Sequence, residues 1–146
     1  MENPLETKGL PEIEQLESDA NVGKKYRILV AEDSAECVVP ISLYLQQCGY
    51  EVVTAIDGEE ALKVTALTGP DLILMDISMP VLDGLGAIRR LREQCAPAYI
   101  PIIAISAFST SGFLQAAHDA GFDGYLTKPF DFNRMDALIK TLLPVR

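Results

Sequence analysis

Five positions in this 146-residue chain have side chains that can act together: the tandem acids Glu32 and Asp33, then Asp76, Ser106, and Lys128 followed directly by Pro129. Three carboxylates gathered in one place would repel one another unless a cation neutralised them, so their convergence predicts a metal ion. The donors are all oxygens, with no His or Cys among them, which suits a hard cation. Mg²⁺, held by one or two carboxylates plus waters and a phosphate, is the expected ion. A carboxylate beside such an ion can also attack phosphorus and form an acyl phosphate. Asp76 is the natural nucleophile, with Lys128 pairing a transferred phosphoryl group and Ser106 donating a hydrogen bond to it.

These residues work together only if the fold brings them to one edge. Short apolar runs at Arg27–Ala31, Glu51–Ala55, Asp71–Met75, Pro101–Ile105 and Gly124–Thr127 alternate with stretches of helical period. The first, third and fourth runs are apolar throughout, as expected of parallel strands covered on both faces. Val38, Ile41, Leu45 and Cys48 keep helical spacing and stop at Gly49, a natural left-handed terminator. Leu85, Ile88 and Leu91 follow Asp83, and Phe132, Met135, Leu138, Ile139 and Leu142 follow Asp131, each Asp placed to cap its helix. Pro40 predicts that the first helix starts late or bends. Five strand-then-helix units imply an α/β protein with an open, doubly wound parallel sheet and helices on both faces. Ligands of such sheets bind beyond the carboxyl ends of the strands, where each of the five chemical positions falls.

Composition limits the alternatives. Hydrophobic residues make up 49% of the chain, enough for one core, and no apolar run reaches the ~18 residues that span a bilayer. A formal net charge of −9 argues against direct contact with nucleic acid or an anionic membrane. No basic-then-apolar leader opens the chain, so a cytoplasmic location is expected. Cys37, Cys48 and Cys95 form no metal or disulfide pattern and are expected to be buried thiols; the lone His118 is expected on an exposed helix face. Residues 1–25, with six acids and interspersed Pro and Gly, predict an acidic flexible arm, with a short helix over Pro11–Asp19 as an option, ahead of a domain at 26–146.

The pair Glu32-Asp33, the segment running from Asp76 through Ser78, Met79 and Pro80 to Asp83-Gly84, the step Ser106-Ala107, and Lys128-Pro129-Phe130 together resemble the receiver domain of two-component response regulators, in particular single-domain chemotaxis regulators. The resemblance runs from about Tyr26 to Leu143 and implies a flavodoxin-like fold, a five-stranded parallel sheet of strand order 2-1-3-4-5 with five helices. It implies that Asp76 accepts a phosphoryl group from a phosphohistidine of a histidine kinase or phosphotransfer protein. Asp33, Asp76 and the main-chain carbonyl of Ser78 would ligate Mg²⁺, with Glu32 acting directly or through water. Ser106 and Lys128 would bind the phosphoryl oxygens across a cis Lys128–Pro129 peptide. Tyr125 resembles the family's switch aromatic, turning into space that Ser106 vacates, so that the fourth helix, fifth strand and fifth helix present a changed face. Ser106 replaces the commoner Thr, keeping the hydroxyl and losing a methyl. Ser78 and Phe108 occupy positions that vary with dephosphorylation rate. Asp83 reads as a cap, and Met79 and Pro80 as shaping the loop.

On this reading the chain is a phosphoacceptor that promotes its own phosphorylation and dephosphorylation rather than a turnover enzyme. The chain stops soon after its last helix, so output is expected through contact with a downstream protein, a phosphorylation-dependent homodimer, or phosphorelay. A fragment of a hybrid histidine kinase is the alternative context, though Met1 favours a free-standing protein. An aspartate-nucleophile phosphatase of the haloacid dehalogenase type would place a second Asp two residues after the nucleophile, where this chain has Ser78. A nucleotide-binding module would need a Gly-rich loop after the first strand, and none follows it.

Overall fold

The computed structural model describes residues 25–77, 84–94, 99–107, 115 and 118–144. The elements are β1 (Arg27–Ala31), α1 (Ala35–Gln47), β2 (Glu51–Ala55), α2 (Gly58–Thr68), β3 (Leu72–Asp76), α3 (Gly84–Gln94) and β4 (Ile102–Ser106). Then come α4, helical at 115 and over 118–120, β5 (Gly124–Thr127) and α5 (Phe132–Leu142). All strands pair in parallel in the order β2-β1-β3-β4-β5, the expected flavodoxin-like arrangement.

Strand alternation divides the core. Leu29, Ala31, Ile73, Met75 and Ala104 face one side of the sheet, against Ala61 of α2 and Ala87, Ile88 and Leu91 of α3. Ile28, Val30, Leu74, Ile103 and Ile105 face the other, against Ile41 and Leu45 of α1 and Met135 and Ile139 of α5. The central β3 and β4 are buried at every position, which is why their sequences carry no polar alternation. The edge strands β2 and β5 are partly exposed.

β3 and β4 end one residue later than the runs predicted, at Asp76 and Ser106 instead of Met75 and Ile105. Pairing governs this: Asp76 lies opposite Ile105 and Ser106 opposite Thr127, so both chemical side chains stand on the last rungs of the ladder. Asp71 instead serves the strand start, its carboxylate accepting the Arg27 amide at 2.8 Å.

α1 does not start late. It begins at Ala35 with Pro40 inside it, because the Ser34 carbonyl already accepts the Cys37 and Val38 amides at 3.0 and 2.9 Å and closes the first turn. Pro40 is exposed, so water can serve the carbonyl that its missing N–H leaves. Gly49, at φ 96°, terminates α1 as expected. Asp131 caps α5, accepting the Arg134 amide at 2.7 Å. The cysteine expectation fails in part: Cys37 is half-buried and Cys48 exposed, both free, because Cys48 caps α1 and lies past its buried stripe of Ile41 and Leu45. His118 is helical and exposed, edge-on to Phe122 at 6.1 Å between ring centroids. The predicted arm, the option of a helix over Pro11–Asp19, Ser78 to Asp83, Cys95 and Phe108 lie outside the described residues.

Candidate functional site

The carboxyl ends of β1, β3, β4 and β5 deliver the five positions to one edge of the sheet. Ligand oxygens of Glu32, Asp33 and Asp76 all lie within 4.8 Å of one another. Their burial differs sharply: Glu32 is 3% and Asp76 2% exposed, while Asp33 faces solvent. Glu32 is held by its own amide, which donates to the Ala55 carbonyl at 3.0 Å, and by the Ser34 amide, which donates to its Oε2 at 3.1 Å.

Lys128 reaches this pair from the far side of the sheet. Its Nζ donates to Glu32 Oε1 at 2.9 Å and to Asp76 Oδ2 at 3.1 Å, bridging residues 96 and 52 positions away. Its backbone is positioned by its amide, which donates to the Ser106 carbonyl at 2.7 Å, and by the cis Lys128–Pro129 peptide. Ser106 is fully buried next to this step. Tyr125 is half-buried, its ring edge-on to Phe122 at 5.6 Å.

One ammonium cannot balance three carboxylates, and burial penalises the excess. Desolvation, reinforced by the hydrogen bond and charge of Asp76 and opposed by Lys128, pushes the Glu32 carboxyl up to about 7. Burial alone would lower the Lys128 ammonium, but its hydrogen bonds to Glu32 and Asp76 outweigh that and raise it above the ordinary lysine value. The site therefore holds the charge arrangement that a divalent cation would relieve. Its donor set is oxygen-only, as a hard ion requires.

The structure thus brings together Glu32, Asp33, Asp76, Ser106 and Lys128; Ser78 lies outside the described residues. Two features escaped the sequence reading. The Ser34 amide that fixes Glu32 carries no side-chain signal. The apolar wall beside Lys128, formed by Pro40, Ile41, Pro129, Phe130 and Phe132, arises where α1 meets the β5–α5 connection. Val39 and Leu43 on α1 are both 54% exposed.

Comparison with known proteins agrees with this geometry. Residues 28–140 match the family model described as the response regulator receiver domain. The chain is 40% identical over 117 residues to the transcriptional regulatory protein PrrA of Mycobacterium leprae, covering 80% of this chain and 49% of that protein. It spans about half the length of the curated relatives it matches. Among solved structures, the chemotaxis protein CheY4 of Vibrio cholerae superposes with a TM-score of 0.78 at 30% identity, covering 82% of this chain and all of that one. The receiver domain of the sensor histidine kinase PA1611 of Pseudomonas aeruginosa, solved with a magnesium ion coordinated in its active site cleft, superposes with a TM-score of 0.75 at 33% identity, covering 82% and 98% of the two chains. The chain therefore belongs to the response-regulator receiver domains, the signalling modules of two-component systems.

Proposed function

We propose that residues 26–146 form a receiver that takes a phosphoryl group from a phosphohistidine onto Asp76, with residues 1–25 as an acidic arm. The observation that carries this reading is the Lys128 ammonium bridging Asp76 and Glu32 inside a cluster of three carboxylates. The Asp76 carboxylate is 2% exposed, so water is largely excluded from it while its oxygen remains tied to a cation. In the transfer, an Asp76 oxygen forms a bond to phosphorus as the P–N bond breaks and the imidazole nitrogen keeps the electron pair. Asp33, Asp76 and the Ser78 main-chain carbonyl would hold Mg²⁺, with Glu32 directly or through water. Bound there, the ion would neutralise charge on the phosphoryl oxygens. Lys128 shifts from its carboxylate partners toward the transferred group, and the Ser106 hydroxyl donates to it.

Tyr125 then turns toward the space that Ser106 leaves, changing the α4–β5–α5 face that a downstream protein, a second copy or a relay partner would read. A histidine kinase or phosphotransfer protein supplies the phosphoryl group. Among the described residues no helix is long and apolar enough to cross a membrane; a cytoplasmic setting is part of the proposal. The same chemistry would serve a receiver inside a hybrid kinase, a reading favoured by the likeness to the PA1611 receiver.

Incubation with acetyl phosphate and Mg²⁺, followed by intact-mass measurement, tests the assignment. Wild type is expected to gain one phosphoryl group and Asp76→Asn none. Equal gain by both proteins would remove Asp76 from its role.

A further inference from the structure

At the end of the sheet opposite the site, one arginine joins four segments. Arg92, near the end of α3, donates from Nε to the Gly121 carbonyl at 2.9 Å, from one terminal nitrogen to the Ile100 carbonyl at 2.8 Å, and from the other to Asp123 Oδ2 at 2.9 Å. Its guanidinium lies 4.1 Å over the Tyr99 ring. Asp123 completes the knot: its Oδ2 also accepts the Ile102 amide at 2.9 Å, its Oδ1 accepts the Tyr99 hydroxyl, and its own amide donates to the Ile102 carbonyl at 2.7 Å. Each of the three nitrogens of this planar fork donates to an acceptor fixed in backbone or buttressed by backbone, a geometry that lysine cannot reproduce. Gly121 is matched to it, since at φ 111° a Cβ there would stand 3.0 Å from Arg92 Cγ.

The knot holds the exit of α4 and the start of β5 to the start of β4, whereas the other end of β5 carries Lys128 into the site. Only three residue steps, about 10 Å of strand, separate Gly124 from Thr127. Tyr125 sits between the two ends, leaning on Phe122, the neighbour of both Gly121 and Asp123. We infer that the Arg92–Asp123 knot is the fixed pivot of the switch: Arg92 is a positioning residue that confines movement of the α4–β5 face to the end nearest Asp76. This inference rests on the phosphoacceptor reading above.

Amide hydrogen exchange on the full chain, with and without Mg²⁺ and beryllofluoride as the phosphoryl mimic, separates the two ideas. In wild type the mimic is expected to slow exchange at Ser106 and Lys128 while leaving Gly121, Ile102 and Asp123 within about twofold. In Arg92→Lys, which keeps the charge, the same mimic is expected to change exchange at Gly121 and Asp123 about tenfold. Tyr99→Phe, which removes one hydroxyl, should give a smaller effect of the same kind if the arginine variant proves unstable. A wild-type response of equal size at both ends, or variants that respond only at the site end, would overturn the pivot. Absence of any wild-type response at Ser106 and Lys128 would overturn the phosphoacceptor reading, and the pivot with it.

Discussion

Mg²⁺ binding by this protein should depend on pH in a way set by Glu32. With its carboxyl pushed up to about 7 by burial and by Asp76, the metal-free site carries a proton over much of the neutral range. A cation drawn to the cluster must displace that proton, because only the ionised carboxylate offers its full negative charge and lone pairs to the ion or to a bridging water. Apparent affinity then falls by the factor one plus ten to the power of pKa minus pH. Between about pH 8 and about pH 6 this amounts to roughly tenfold, or about 1.4 kcal/mol. Because Glu32 and Asp76 interact, the slope belongs to the pair, but the window is the same. Calorimetric titration with Mg²⁺ in two buffers of different ionisation heat measures both the affinity and the protons released, expected to be about half a proton per ion near pH 7. In Glu32→Gln the slope should flatten. Affinity that is constant across this range in wild type, or a slope unchanged in Glu32→Gln, would refute the argument.

The same proton governs stability without metal. The folded state holds it above the ordinary value of 4.5 while the unfolded state releases it, so Glu32's contribution is full below about pH 4.5, is lost as pH rises to about 7, and is flat beyond. After discounting for solvent screening the loss is on the order of 2 kcal/mol. Urea titrations in the presence of chelator should show wild type weakening relative to Glu32→Gln across that window, and parallel curves would contradict it. Leu74→Ala, at a position with no exposure in the middle of β3, should cost about 2–5 kcal/mol, read as a lower urea midpoint at unchanged slope. A loss under about 1 kcal/mol would mean that the site collapses around the cavity.

What could be read without coordinates was whatever depends on local period and chain order. Uniformly apolar runs marked β3 and β4, Gly49 and Asp131 marked helix ends, and a parallel sheet by its topology sends Glu32, Asp33, Asp76, Ser106 and Lys128 to one edge. Local pattern did not reveal that Glu32 and Asp76 are buried while Asp33 is exposed, nor that one ammonium bridges the first two across most of the chain. Neither did it show Cys48 exposed, α1 starting as early as Ala35, or Arg92 tying four segments together. Periodicity reports which face of an element meets the core on average. Desolvation and long-range hydrogen bonds depend on strand register and on how far side chains reach across neighbouring elements, and these exist only once the sheet and its helices have packed.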